Sequence, residues 1–183
     1  MTRATALMLA GMMAAGWTHA AQPPIRFISH RGESMDAPEN TMAAFRLSRE
    51  RGVFGFECDI YMTADNEIIC LHDLTLDRTT DGSGKPDALT LAELKKLDAG
   101  SWKNARFAGE RIPTLAEALA LAQEGRDIYI DIKRGIDIPR LVEVVKAEPK
   151  ATAERIVFLG GGESVQQLRK LLPDYRALWV VGV

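Results

Sequence analysis

The stretch Phe56-Glu57-Cys58-Asp59-Ile60-Tyr61 decides the fold class, because it is an apolar run that carries two acidic residues. Glycines precede the run and the turn Ala64-Asp65-Asn66 follows it, which is the pattern of a short buried strand. Side chains two residues apart in a strand share a face. Glu57 and Asp59 are therefore expected to point to one side of the strand, and Cys58 to the other.

Outward from this strand, apolar runs and helical patterns alternate along the chain. Thr90 and Thr114 are each followed three residues later by Glu, which is the capping box of a helix start. The alternation predicts parallel strands joined by crossover helices, arranged either as a doubly wound sheet or as a (β/α)8 barrel. The predicted strands are 25–29, 56–61, 67–71, 127–133, 155–159 and 176–183, and the other predicted helices are 41–51, 138–147 and 165–172.

The bulk composition is that of one globular domain preceded by a leader. The chain has 183 residues, 46% of them hydrophobic, and its net charge of −2 gives no nucleic-acid footprint. Residues 1–20 combine a basic start, an apolar run and the small-residue site Thr18-His19-Ala20, which predicts a signal peptide cleaved after Ala20 and a secreted or periplasmic protein. The alternative is a membrane anchor, but the apolar run is shorter than the ~20 residues of a spanning helix. Residues 25–183 form the predicted domain.

Cys58 and Cys70 are the two cysteines of the chain. Because Cys70 lies two residues before His72, it is expected to share the face of His72, whereas Cys58 points away from Glu57 and Asp59. The sequence therefore predicts two free, buried thiols on opposite sides of the sheet.

His30 and His72 are the two histidines outside the predicted leader, and each follows a predicted strand. The carboxyl ends of strands form the active face of parallel α/β folds, and imidazole suits proton transfer near neutral pH. A single histidine at such a place is more often structural, but two of two at strand ends favour a functional role.

The acidic pair of the central strand predicts a metal site. Glu57 and Asp59 would repel each other and a phosphate alike, and hard oxygen ligands suit Mg²⁺ or Ca²⁺. A bound cation reverses the local charge and attracts an anion. Arg31 follows His30 directly, and its planar guanidinium suits a phosphate, although a surface ion pair with Glu39 is the alternative.

Several motifs follow one another between residues 26 and 135. They are Ser29-His30-Arg31-Gly32, Ala37-Pro38-Glu39-Asn40-Thr41, Phe56-Glu57-Cys58-Asp59-Ile60, Leu71-His72-Asp73, Leu76-Asp77-Arg78-Thr79-Thr80, Leu97-Asp98-Ala99-Gly100-Ser101-Trp102 and Phe107–Leu115. In this order the motifs resemble those of the glycerophosphodiester phosphodiesterase family. The resemblance implies a TIM (β/α)8 barrel that hydrolyses glycerophosphodiesters to glycerol 3-phosphate and an alcohol.

The resemblance also implies a role for each matching residue. His30 and His72 would be the acid–base pair, without an assignment of which is the acid. The remaining roles are metal ligation by Glu57, Asp59 and Asp131, phosphate binding by Arg31 and Lys133, and support of these side chains by Glu39, Asn40 and Asp73.

This sequence departs from the family pattern in two ways. Asp131 stands where the family usually has Glu, so we expect weaker metal binding or a shifted ion preference. The 163 residues that follow the predicted leader are fewer than the about 250 residues of a typical barrel, so the closing strands are expected to be missing.

Three functions stay open at this point. The first is a phosphodiesterase that acts on a small-molecule glycerophosphodiester. For this enzyme we expect neither a nucleic-acid partner nor a stable membrane anchor, and the sequence does not determine the oligomeric state. The second is an inactive or non-catalytic phosphodiester-binding fragment. The third is an enzyme acting on lysophospholipids or other glycerol-linked phosphodiesters.

Overall fold

The structure is a computed structural model that describes residues 25–181. The strands are β1 (Ile28–Ser29), β2 (Gly55–Met62), β3 (Ile68–Cys70), β4 (Asp127–Ile132), β5 (Ile156–Gly160) and β6 (Arg176–Trp179). The helices are α1 (Met42–Glu50), α2 (Leu91–Leu94), α3 (Leu115–Leu119), α4 (Ile138–Ala147) and α5 (Gly162–Leu171), and 3-10 turns cover Pro86–Ala88 and Ala105–Phe107.

Local signals set the starts of the helices. Thr90 and Thr114 both form the predicted capping boxes, since each side chain accepts from the backbone N–H of the Glu three residues later. α4 has the predicted bounds and is capped by Asp137. α5 begins three residues before its predicted start, because its apolar periodicity sets in only at Val165, in the second turn.

The order of strands in the sheet selects the barrel type over the doubly wound type. β1, β2, β4, β5 and β6 are neighbours in chain order, and every pair among them is parallel. A doubly wound sheet reverses its strand order at a switch point, and this sheet does not. β3 alone is antiparallel and pairs with β2.

The two faces of the sheet differ in chemistry. One face is apolar and packs against α1, α3, α4 and α5, with Phe45 of α1 stacked on Phe56 of β2 at 4.6 Å between ring centroids. The other face carries Glu57 and Asp59 of β2 and Asp131 of β4. Helices on one face only are what a (β/α)8 barrel requires, because its other face lines the barrel interior.

A second, smaller core lies under the long connection between β3 and α3. Its buried residues are Ile69, Leu71, Leu76, Leu94, Ala99 and Ile112. The carboxylate of Asp98 holds the connection together, because it accepts hydrogen bonds from the backbone N–H groups of Gly100, Ser101 and Gly109. This connection supports the side of the sheet on which His72 lies.

The predicted placement of the two cysteines is half right. Both thiols are free and buried, as predicted. However, Cys70 pairs with Ile60 across the β2–β3 ladder, so Cys70 and Cys58 lie on the same apolar face rather than on opposite faces. The prediction failed because it carried the alternation of β3 on to His72, whereas β3 ends at Cys70.

The first and last strands of the described chain are shorter than predicted. β1 covers only the last two residues of the predicted strand 25–29, and β6 ends at Trp179. The predicted leader over residues 1–20 lies outside the described residues, as do residues 182–183 of the last predicted strand. Between residues 25 and 181, no helix combines the length and the apolar character needed to cross a membrane.

Candidate active site

The site is built along one edge of β2. β1 pairs with the first residues of β2, and after it the backbone N–H of Gly32 donates to the Glu57 carbonyl at 3.0 Å. β3 pairs with the end of β2 and runs back, so that the N–H of Leu71 donates to the Asp59 carbonyl, also at 3.0 Å. Residues that follow β1 and residues that follow β3 therefore meet beside Glu57 and Asp59.

The two histidines predicted to be functional lie on the segments that meet beside Glu57 and Asp59, but for different structural reasons. His30 follows parallel β1, as expected, and is exposed. His72 follows antiparallel β3, so its place depends on the direction in which β3 returns and not on the carboxyl-end rule for parallel strands. The Nδ1 atom of His72 lies 2.7 Å from Oδ1 of Asp73, which fixes the orientation of the ring and directs Nε2 away from this carboxylate.

The turn after His30 has a left-handed backbone conformation at Arg31 and Gly32. Arg31 has φ of 58° and Gly32 has φ of 72°, both in the left-handed region. A Cβ atom on Gly32 would lie 2.7 Å from Cβ of Ala44, so only glycine fits against α1. In this conformation the N–H of Arg31 donates to Oε2 of Glu57 at 2.7 Å, which orients that carboxylate.

Three carboxylates form the predicted acidic cluster. Glu57, Asp59 and Asp131 each offer an oxygen, and these atoms all lie within 4.8 Å of one another. Asp59 and Asp131 are direct partners in the parallel ladder between β2 and β4. Glu57 and Asp59 are buried, with exposed fractions of 8% and 1%.

The charge state of this cluster fits a divalent cation. Burial, and then the negative charges of Asp59 and Asp131, raise the pKa of Glu57 to about 8. A carboxylate so reluctant to ionise needs positive charge beside it, and an all-oxygen donor set suits Mg²⁺ or Ca²⁺. The described residues therefore fit the metal role that the sequence predicted for them.

Two cations of the chain face the same oxygens. Nζ of Lys133 lies 2.7 Å from Oδ1 of Asp59 and 2.6 Å from Oδ2 of Asp131. Burial works against the charge of Lys133, but these two hydrogen bonds outweigh it and hold the pKa of the ammonium above its usual value. Nε of Arg31 lies 3.6 Å from Oδ2 of Asp59. Both predicted phosphate-binding residues thus border the acidic cluster.

The sequence model of the Glycerophosphoryl diester phosphodiesterase family matches residues 30–167. The chain belongs to this family. The protein from Caldanaerobacter subterraneus subsp. tengcongensis, a glycerophosphodiester phosphodiesterase, is 41% identical over 155 residues, which cover 81% of this chain and 63% of that protein. A putative glycerophosphodiester phosphodiesterase from Bacillus subtilis is 40% identical over 150 residues. The chain spans less than two thirds of the length of both relatives.

Solved structures of the glycerophosphodiester phosphodiesterase family share the fold. A phosphodiesterase from Oleispira antarctica, in complex with the product sn-glycerol-3-phosphate, superposes with a TM-score of 0.80 at 34% identity, covering 87% of this chain and 67% of that one. The glycerophosphodiester phosphodiesterase of Agrobacterium tumefaciens gives a TM-score of 0.76 at 32% identity, over 83% and 65% of the two chains. The predicted TIM-barrel fold class is confirmed.

Within this family site, the predicted supporting residues have specific contacts. Asn40, which is buried and has φ of 55°, donates from Nδ2 to Oδ2 of Asp59 at 2.8 Å and accepts the Asp59 N–H at 3.1 Å. Its amide completes the edge of β2 in the gap between β1 and β3. Glu39 accepts from Arg31 at 2.9 Å, so the predicted ion pair exists, but it lies inside the site rather than on an exposed surface.

Arg78 is a site residue whose role could not be assigned from the sequence. It bonds both Asp73 and Glu39, although Glu39 is 39 residues away along the chain. The one sequence signal that pointed to Arg78 was its position inside the motif 76–80. Periodicity gave none, because it predicts no pairing between side chains so far apart along the chain. The loop after His72 brings it to the site.

Proposed function

We propose that the protein is a divalent-metal-dependent phosphodiesterase that hydrolyses glycerophosphodiesters to glycerol 3-phosphate and an alcohol. The observation that carries this proposal is the meeting of the segments after β1 and β3, with their histidines, beside three clustered carboxylates. Membership of the family supports the reaction. The neighbour from Oleispira antarctica, solved with sn-glycerol-3-phosphate as its product, supports the substrate class.

Binding of the substrate phosphate needs positive charge next to the acidic cluster. A divalent cation held by Glu57, Asp59 and Asp131 would supply a Lewis acid for a phosphate oxygen. Arg31 and Lys133 border the same carboxylates, and their side chains donate hydrogen bonds to the phosphate oxygens that face them. The guanidinium of Arg31 is held in place by Glu39 at 2.9 Å, which keeps its donors oriented before substrate arrives.

His30 and His72 move the protons in two steps. In the first step, one histidine takes the proton of the glycerol hydroxyl next to the phosphate, and the resulting oxygen bonds to phosphorus. The alcohol leaves with a proton from the other histidine, and a cyclic phosphate remains. In the second step, water gives its proton to that other histidine and its oxygen bonds to phosphorus. The P–O bond that formed in the first step breaks, and its oxygen takes the proton held by the first histidine, which yields glycerol 3-phosphate.

The test is turnover of glycerophosphocholine by the purified protein with Mg²⁺ or Ca²⁺, measured as glycerol 3-phosphate formed. His30→Ala and His72→Ala are each expected to abolish turnover. Glu154→Gln, on an exposed side chain away from the site, is the matched control and should retain full activity. A folded wild-type protein that is inactive with each metal and each glycerophosphodiester would instead support a non-catalytic phosphodiester-binding role.

One observation favours the lysophospholipid alternative. Met35 and Leu74 are 81% and 71% exposed, and they lie on the loops that follow His30 and His72. Exposed apolar side chains on the loops that lead away from the two histidines would suit the hydrocarbon chain of a lysophospholipid. Met35→Ser and Leu74→Ser should then lower turnover of lysophosphatidylcholine and leave that of glycerophosphocholine unchanged. An equal effect on both substrates would end this alternative.

We further propose that the protein is exported and processed after Ala20. The support is the layout of residues 1–20, with its basic start and apolar run. Fractionation of expressing cells and intact-mass measurement of the mature protein test this. A full-length chain that stays in the cytoplasm would contradict the proposal.

A further inference from the structure

The guanidinium of Arg78 is divided between two carboxylates of the site. Nε donates to Oδ2 of Asp73 at 2.6 Å and NH2 donates to Oδ1 of the same group at 3.0 Å. NH1 and NH2 also donate to the two oxygens of Glu39, each at 2.8 Å. Both pairings are bidentate, which is the geometry that a planar guanidinium supplies and an ammonium does not.

Each of these carboxylates holds a different functional side chain. Asp73 orients His72 through Nδ1 at 2.7 Å. Glu39 orients Arg31 through NH1 at 2.9 Å. Arg78 therefore stands between the histidine and the phosphate-binding arginine, in a line of groups that alternate in charge.

The charges of these groups depend on one another. Burial would raise the pKa of Glu39, but the hydrogen bonds and charges of Arg78 and Arg31 outweigh it and lower that pKa. The pKa of Asp73 lies well below its usual range, chiefly because of its hydrogen bonds with Arg78. Without Arg78, two carboxylates that now share one cation would face each other and repel.

We propose that Arg78 is a positioning residue that fixes His72 and Arg31 relative to each other, through Asp73 and Glu39. This inference rests on the proposed function, because it concerns the geometry between a proton-transfer group and a phosphate-binding group. A displacement of about 1 Å in such a geometry is enough to lower a rate about 100-fold. The alternative is that Arg78 only staples the loop of residues 73–80 to the segment that carries Glu39.

The experiment compares Arg78→Ala and Arg78→Lys with wild type and with the control Arg46→Ala, whose exposed side chain lies on α1. For glycerophosphocholine, kcat/KM should fall about 10- to 100-fold in Arg78→Ala. Arg78→Lys keeps the charge but loses the fork, so it should remain impaired. Added guanidinium ion should restore part of the activity of Arg78→Ala, and Arg46→Ala should behave as wild type.

A second readout does not depend on turnover. Without Arg78, Asp73 loses the fork that holds it beside His72, so the ring of His72 loses its fixed orientation. The imidazole NMR resonances of His72 should therefore shift and broaden in Arg78→Ala, whereas they should keep their wild-type positions in Arg46→Ala.

The outcomes separate this inference from the proposed function. If wild type does not hydrolyse glycerophosphodiesters but the imidazole resonances of His72 shift in Arg78→Ala, the proposed function fails and the coupling of Arg78 to His72 stands. If Arg78→Ala only lowers the unfolding temperature, with kcat/KM and the imidazole resonances of His72 unchanged, Arg78 is a loop staple and the inference is overturned. Should Arg78→Ala not fold, Arg78→Lys decides by the same two measurements.

Discussion

The two edges of β2 are built on different plans. Along one edge, β2 pairs with β4 without interruption over six residues, from Gly55–Asp127 to Ile60–Ile132. Along the other edge, β1 covers two residues, β3 covers three, and the amide of Asn40 fills the space between them. The regular edge places Asp131 beside Asp59. On the irregular edge β1 and β3 end early, so the loops that carry His30, Arg31 and His72 begin beside Glu57 and Asp59. Regular pairing thus aligns two of the carboxylates with each other, and interrupted pairing brings the histidine-bearing segments to them.

The largest effect on stability is expected on the regular edge. Ile130 in the middle of β4 is fully buried among the helices, so Ile130→Ala should lower the free energy of unfolding by about 2–5 kcal/mol. Metal affinity of the folded protein should stay unchanged, because Ile130 faces away from the carboxylates. Urea unfolding and calorimetric metal titration measure the two quantities. The milder Ile130→Val should follow at about 0.5–1.5 kcal/mol.

A substitution on the irregular edge should affect both quantities. Asn40→Ala removes both bonds to Asp59 and leaves a buried N–H without its partner, at a cost of about 1–3 kcal/mol in unfolding free energy. Because Asp59 loses its orientation, metal affinity should fall about 10- to 100-fold. The same unfolding and titration experiments apply. Wild-type metal affinity in Asn40→Ala would show that the amide only fills the gap between β1 and β3.

The pH dependence follows from Glu57, whose pKa is raised from 4.5 to about 8. The folded protein keeps a proton that the unfolded chain has lost, so this contribution to stability is complete below pH 4.5 and disappears as pH rises to about 8. Metal binding must release that proton, so affinity should increase as pH rises toward 8. Unfolding and metal titrations across this range check both trends.

Glu57→Gln is the control for this pH effect, because it keeps the shape of the side chain and removes its proton. The contribution of this position to stability should become independent of pH, and metal should bind weakly throughout the range. A Glu57→Gln protein with the wild-type pH profile would mean that another group carries the dependence.

The smallest expected effect concerns the length of one acid. Asp131 is one methylene shorter than the Glu that the family pattern usually has, so Asp131→Glu should strengthen metal binding or shift the preference between Mg²⁺ and Ca²⁺. Calorimetric titration with each ion measures the change. Identical affinity and selectivity in Asp131→Glu would remove the significance of this departure.

Features set by neighbours in the chain could be predicted from the sequence. The capping boxes at Thr90 and Thr114 depend on residues three apart, and the shared face of Glu57 and Asp59 depends on residues two apart. The acidic cluster could also be predicted, because Asp131 lies on a strand of the same period and the family resemblance placed it with Glu57 and Asp59.

Features set by pairing across the sheet could not be predicted in this way. The face of Cys70 depends on the register between β3 and β2, and alternation counted from His72 gave the wrong side. The double hydrogen bond of Asn40 and the fork of Arg78 join segments that are 19 and 39 residues apart. No local periodicity reports such contacts, and their partners become evident only once the loops are in place.

The shared face of Cys58 and Cys70 has a practical consequence. Cys58 lies on β2, which carries Glu57 and Asp59, and Cys70 ends β3, which leads to His72. Both thiols are buried on the apolar face of these strands, opposite the acidic cluster. An alkylating reagent reaches them only when β2 and β3 separate from the helices, so the labelling rate reports how often this part of the protein opens. The two native cysteines therefore provide a kinetic probe of this opening. Slower labelling on addition of Mg²⁺ or Ca²⁺ would measure how strongly the ion suppresses the separation of β2 and β3 from the helices.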